Sequence, residues 1–192
     1  MLNITDSEFI KLTDYIKNNY GIKIKEEKRS LLTSRLENVL LQKGFKSFTE
    51  YFDYVTSDKT GVAVTTLLNK ITTNHTFFMR EAEHFTFFRD EVLPMLAGTL
   101  KSKDLRIWSA GCSTGEEPYS LAITACEAFN TMTPPMQIVA TDIDTNVLAT
   151  AQAGVYGLDR VDRLSRERMQ RFFLKGTGSQ AGFARVRPEL QR

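Results

Sequence analysis

The sequence predicts an α/β protein in which a small all-α bundle precedes a Rossmann-like sheet unit. Three observations predict it. The first seventy residues hold apolar runs at helical spacing behind recurrent capping signals, with no strand-like alternation. Residues 105–141 then read strand, glycine loop, helix, strand, the order of a βαβ crossover with parallel strands. Between the two lies a segment dense in aromatic residues. We divide the chain at 1–72 (helical), 73–100 (connecting segment) and 101–192 (sheet unit).

The helices follow in order. Thr5 and Glu8 form the S/T-x-x-E pair in which a hydroxyl caps an amide and the carboxylate reaches back, and Phe9, Leu12 and Ile16 follow at helical spacing. Gly21 is a natural stop. A second helix is expected from about Glu26 to Lys43, with Leu32, Leu36, Val39 and Leu40 on one face and Gly44 beyond it. Ser47 and Glu50 repeat the capping pair ahead of Phe48, Tyr51, Phe52 and Val55. A fourth helix carries Val64, Leu67, Leu68 and Ile71. Short connections between amphipathic helices make an antiparallel bundle. A further helix is expected from about Glu81 in the connecting segment.

Composition narrows the classes. Of 192 residues, 42% are hydrophobic and 25% charged, which suits a packed water-facing protein. The net charge of +2 is too small for nucleic-acid binding through bulk charge. No apolar run is long enough for a bilayer and the start lacks a secretory signal, so a cytoplasmic protein without membrane insertion is expected. Cys112 and Cys126 form no CxxC pair and are expected as free thiols. Two histidines without an HExxH pattern give no metal site.

The chemistry sits in WSAGCSTGEEPYS, residues 108–120, which follows a strand and opens a helix. Small residues there let a ligand approach the backbone, and the first helical amides are free to donate. Glu116 and Glu117 at the helix start disfavour a phosphate and favour a cationic or neutral ligand, such as a sulfonium. The second strand ends in ATDID, residues 140–144. A carboxylate at that place accepts two ribose hydroxyls side by side, a role given to Asp142, while Asp144 is expected to cap the next helix.

Three other chemistries fit less well. Residues 111–115 match G-x-S-x-G, the nucleophile elbow of α/β hydrolases, but both His75 and His84 precede Ser113, against that fold's order. The two glycines do not make the G-x-G-x-x-G of nicotinamide sites, and no Gly-Lys-Ser/Thr marks a P-loop.

Four segments in order, TNHTFFMRE (73–81), WSAGCSTGEEPYS (108–120), ATDID (140–144) and AGVY (153–156), together resemble the CheR family of chemotaxis protein methyltransferases. The resemblance implies a class I methyltransferase domain behind a receptor-facing helical subdomain. It also implies methyl transfer from S-adenosylmethionine, with S-adenosylhomocysteine as product, to glutamate side chains of chemoreceptors. Asn74, Thr76, Arg80, Ala110, Glu116 and Asp142 match the family's cofactor contacts, and Arg80 its active-site arginine; the alternative for Arg80 is a surface pair with Glu81 or Glu83. Lys28, Arg29 and Arg35 lie on the helix matching the family's receptor-facing one, against an ordinary solvated face as the alternative. GFARVRPEL (182–190) looks like the opening strand of the family's small β-subdomain, and the family's later cofactor contacts and catalytic tyrosine have no counterpart. A truncated sheet domain is therefore expected, inactive or weak by itself and prone to associate through unpaired strand edges, the complete protein being a monomer. The alternative function is a non-enzymatic module that senses the cofactor through a degenerate domain.

Overall fold

The computed structural model describes residues 2–99 and 105–191. They form two compact units, Met1–Thr73 and Asn74–Arg192. The expected boundary at residues 100–101 lies outside the described residues.

The first unit is a bundle of four helices. Helix α1 (Asp6–Tyr20) opens on a complete capping box, since the Thr5 hydroxyl accepts from the Glu8 amide at 3.3 Å and the Glu8 carboxylate from the Thr5 amide at 2.9 Å. The other oxygen of Glu8 takes the amide and hydroxyl of Thr49, at 2.8 and 2.9 Å. One carboxylate thus ties the start of α1 to the start of α3 (Phe48–Ser57). Helix α2 (Arg29–Lys43) begins three residues later than expected. Glu26–Lys28 instead form a 3₁₀ turn, because Lys25 supplies no side-chain cap and its carbonyl takes the Lys28 amide at 3.0 Å. Before α3, Glu50 reaches one residue past the box position to the Lys46 amide at 2.8 Å. Helix α4 (Val62–Ile71) is preceded by Asp58, whose carboxylate accepts from Thr60 and from the Ala63 amide.

The apolar faces meet in one core of Phe9, Leu12, Ile16, Leu32, Leu36, Val39, Leu40, Phe48, Tyr51, Val55 and Leu67. Arg35 closes the end of α4, donating to the carbonyls of Ile71 and Thr72 at 2.8 and 2.9 Å and to the Thr73 hydroxyl at 3.2 Å.

The second unit begins with residues 74–80 and a helix that changes pitch. Helix α5 (Ala82–Phe87) runs through a π turn (Phe88–Val92) into α6 (Leu93–Thr99). Strands β1 (Leu105–Ala110) and β2 (Met136–Thr141) are parallel, with Trp108 beside Val139 and Ala110 beside Thr141. Between them runs α7 (Glu116–Ala128), which starts two residues earlier than expected. Pro118 sits within the first turn, where a missing N–H leaves no bond unmade. One sheet face, with Leu105, Ile107 and Met136, packs on Phe88, Leu93 and Ala125. The other bears Trp108 and Val139, 72% and 52% exposed, and among the described residues β1 and β2 pair only with each other.

Helix α8 (Thr145–Ala153) follows β2. Then come β3 (Val155–Gly157), α9 (Leu158–Val161), α10 (Arg166–Phe172), β4 (Phe173–Lys175) and β5 (Phe183–Val186). The last three strands form an antiparallel sheet in the order β3-β5-β4. Only β5 was expected from the sequence; β3 and β4 are three residues each, too short for alternation to register. Phe78 packs edge-on against Tyr156 and Phe173, at 5.0 and 5.5 Å between ring centres, and joins residues 74–80 to this sheet.

Bonds to Thr60 and to the amides of Ala63 and Thr60 hold the Asp58 carboxyl below its ordinary value of 3.8. Burial works to raise Glu8, but the bonds from Thr5 and Thr49 outweigh it and lower it too. A depressed carboxylate stabilises the fold above its unfolded value, and that contribution is lost as pH falls through the folded value. Resistance of the bundle to urea should therefore weaken on acidification into the range below pH 3.8, and Asp58→Asn should flatten that dependence.

Candidate functional site

The loop after β1 is held from below and from one side. The amides of Gly111 and Cys112 both donate to the Thr141 carbonyl, at 2.8 and 2.9 Å, so the loop is pinned to the end of β2. The Ser113 amide donates to one oxygen of Asp142 at 2.8 Å, and the Asp144 amide to the other at 2.9 Å. Asp142 is thereby fixed in orientation, and each of its oxygens keeps a lone pair for a further donor. Asp144, 2% exposed, caps α8 through the amides of Asn146 and Val147, as expected from the sequence. Its second oxygen accepts from the Asn74 side chain at 2.6 Å. The Ser113 hydroxyl donates to the Asn74 carbonyl at 3.0 Å, so residues 74–80 are stitched to both the loop and α8.

Arg80 stands between two left-handed residues, Met79 (φ 56°) and Glu81 (φ 59°), a conformation unusual outside glycine. The turn is held by Ser120 on α7, which accepts the Met79 amide at 3.0 Å and donates to the Glu116 carbonyl at 2.7 Å. The guanidinium donates to the His75 carbonyl at 3.0 Å and lies 3.9 Å from Glu81 while staying half open to solvent. Thr76 is half-buried, and Ala110 is exposed at the end of β1.

Glu116 is fully buried. Its carboxylate accepts the Thr114 hydroxyl at 2.6 Å and pairs with Arg160 on α9, which also donates to Thr114 at 3.0 Å. Glu117 turns the other way, to the Ser109 hydroxyl at 2.8 Å. The acidic pair does not face a ligand as a pair, so charge at the helix start selects the ligand less directly than the sequence suggested. Tyr156 donates to the Thr114 carbonyl at 2.6 Å, and burial pushes its phenol well above the ordinary range. Gly115 (φ 96°) is required: a Cβ there would come within 2.8 Å of Ala151 and 2.9 Å of the Tyr156 hydroxyl. Gly111 (φ 75°), in contrast, has nothing within 4 Å on its Cβ side, leaving room for a ligand over the loop.

Asn74, Ala110, Glu116 and Asp142 thus all lie on or against this one loop and its neighbouring strand. Arg160, Ser120 and the clamping role of Tyr156 were not anticipated, since Arg160 lies 44 positions from Glu116 and no local pattern links them. Ser113 is 8% exposed with its hydroxyl committed to a carbonyl, an arrangement unlike a nucleophile. A cavity of about 490 Å³ lies behind the loop between α7, β2 and α8. It is lined by Cys112 and Cys126, free thiols whose pKa values burial raises. None of the candidate residues line it.

In the bundle, the three basic residues differ. Arg29 pairs with Asp6 at 2.6 Å and Glu26 at 2.7 Å and covers the Phe9 ring; Arg35 caps α4; Lys28 is exposed. Among the described residues no group of three His, Cys, Asp or Glu side chains could hold a metal ion, and no helix is long and apolar enough to cross a membrane.

Residues 7–72 match the family described as CheR methyltransferase, all-alpha domain, and residues 74–192 the CheR methyltransferase, SAM binding domain. The chain belongs to the CheR methyltransferase family. The cofactor of that domain is S-adenosylmethionine. The chain is 42% identical over 188 residues to chemotaxis protein methyltransferase 2 of Pseudomonas aeruginosa, covering 98% of this chain and 65% of that one. It is 41% identical over 170 residues to the chemotaxis protein methyltransferase of Borreliella burgdorferi, covering 86% of this chain and 60% of that one. The Escherichia coli chemotaxis protein methyltransferase is 35% identical, over 98% of this chain and 64% of its own. The chain therefore spans 60 to 65% of the length of these relatives.

The residues present suit this cofactor in a CheR domain: a clamped acid with lone pairs to spare, a loop open above Gly111, and a buried carboxylate at the helix start. Gly115→Ala should cost more than about 1 kcal/mol, from positive φ and the clash with Ala151 together, and thermal unfolding of the purified chain measures it.

Proposed function

We propose that this CheR protein methylates glutamate side chains of bacterial chemoreceptors, acting in the cytoplasm. The observation that carries the proposal is Asp142, held by the amides of Ser113 and Asp144 beside the open backbone of Gly111. When bound, S-adenosylmethionine supplies a methyl group on a positively charged sulfur, activated toward a carboxylate oxygen.

The chain's own residues then hold and orient. Asp142 accepts the two ribose hydroxyls through its remaining lone pairs. Asn74, locked by Asp144 and Ser113, Thr76 and the Ala110 backbone complete the cradle, and Glu116 meets the cationic end of the amino-acid arm. A substrate glutamate is already ionised at neutral pH, with a reference pKa of about 4.3, so no general base is needed. Placement and exclusion of water remain as the tasks of the site. Arg80 orients the substrate carboxylate. Its contacts to His75 and Glu81 leave the guanidinium half open, so it guides the carboxylate without clamping it so hard that its nucleophilicity is quenched.

The helical unit meets the receptor, an assignment supported by the match of residues 7–72 to the family's all-alpha domain. Of the three basic residues, Lys28 is the one left for a partner. Lys28→Glu should weaken binding to receptor membranes and leave bundle stability unchanged, whereas Arg35→Ala should lower stability by removing three hydrogen bonds; co-sedimentation and urea unfolding separate the two.

The central test measures transfer of labelled methyl from S-adenosylmethionine to receptor membranes as base-labile ester, alongside calorimetry with S-adenosylhomocysteine. Asp142→Asn should weaken S-adenosylhomocysteine by about tenfold, the loss of charge-assisted hydrogen bonds. Arg80→Ala should lower turnover much more than cofactor affinity. Normal turnover by Arg80→Ala would sink its role, and label transferred to the receptor in a base-stable form would sink the function.

A further inference from the structure

Glu116 is the acid through which the cofactor's amino-acid arm is proposed to bind, yet its side chain has no exposed surface. Its ion-pair partner is Arg160, itself 40% exposed. Among the described residues Arg160 is the one cationic side chain hydrogen-bonded to the loop, through Glu116 and the Thr114 hydroxyl. It comes from α9, a four-residue helix outside the loop and outside α7.

The seat of Arg160 is good at one nitrogen and poor at another. Its Nη2 serves both Glu116 and Thr114, but its Nε is buried with no acceptor. A buried N–H without a partner is a standing cost that leaving the seat relieves. Glu116, for its part, cannot stay buried without a cation, because an unpaired carboxylate in that place is strongly unfavourable. The pair is therefore stable while the loop is empty of other cations and replaceable when one arrives.

We infer that Arg160 is a placeholder cation, occupying on Glu116 the place that the α-ammonium of the cofactor takes, and that it must swing away for the amino-acid arm to bind. The inference rests on the cofactor reading given above. An interaction made by the free protein and lost on binding subtracts from affinity, so Arg160 weakens every ligand bearing the ammonium and leaves alone those without it. It is a specificity-determining residue for the arm and not for the nucleoside.

Calorimetry with two ligands sharing one nucleoside tests this: S-adenosylhomocysteine carries the amino-acid arm, and 5′-methylthioadenosine lacks it. Arg160→Gln should tighten S-adenosylhomocysteine by about tenfold and leave methylthioadenosine within about twofold. Its melting temperature without ligand should fall, as Glu116 loses its partner. If Arg160→Gln does not fold, Arg160→Lys decides: it retains the charge Glu116 needs but carries it on a flexible stem without the planar guanidinium, and should tighten S-adenosylhomocysteine alone by a smaller factor. Weaker S-adenosylhomocysteine binding in either variant, unchanged binding, or equal tightening of both ligands would overturn the placeholder role. Failure of wild type and variants alike to bind either ligand would instead bring down the cofactor reading, and this inference with it.

Discussion

The carboxylate of Asp142 is the joint on which the second unit turns. One oxygen takes the Ser113 amide and the other the Asp144 amide, so a single side chain joins the loop after β1 to the segment after β2. Charge-assisted bonds of this kind are stronger than neutral ones, and two on one rigid group fix direction as well as distance. Everything nearby inherits that order. Asp144 is positioned to cap α8 and to hold Asn74, and Ser113 is turned so that its hydroxyl reaches the Asn74 carbonyl. A site assembled from residues as distant in sequence as 74 and 144 is thus set by a few short polar contacts.

A second bracing comes from the small antiparallel sheet. Tyr156 on β3 and Arg160 on α9 both reach Thr114, and Gly115 admits the close approach only for want of a side chain. The loop is therefore supported from two directions, by the parallel strands through Thr141 and Asp142 and by the antiparallel sheet through Thr114. Phe78, wedged between Tyr156 and Phe173, carries the same support to residues 74–80. Tyr119 and Ile123 of α7 and the strip bearing Arg80 share one apolar cluster.

Local chemistry was legible in the sequence and distant pairing was not. Thr5 with Glu8, Ser47 with Glu50 and the stops at Gly21 and Gly44 act within a turn, so residue type and spacing suffice. The parallel pair and the capping of α8 by Asp144 followed from the order of strand, loop and helix. Beyond that range the pattern falls silent. Arg29 and Arg35 counted as surface charge, whereas in the fold they are spoken for by Asp6, Glu26 and the carbonyls at the end of α4. Glu116 read as an open acid because its partner lies on another element. Strands of three residues leave no alternation to detect, and Pro118 drew the expected start of α7 two residues too far along.

The π turn at Phe88–Val92 carries a consequence for how this helix tolerates change in length. The Leu93 amide bonds to the Phe88 carbonyl five residues back, one more than an α-helix spans. At 3.6 residues per turn, side chains five apart would diverge by about 140°, and Phe88 and Leu93 could not enter the same apolar cluster. The wider turn brings both against Ala125, so the segment behaves as an α-helix that has absorbed one surplus residue without rotating its inward face. Excising one residue from the turn would leave Phe and Leu four apart, still in phase, so the register of this wall is insured against a frame shift of that size.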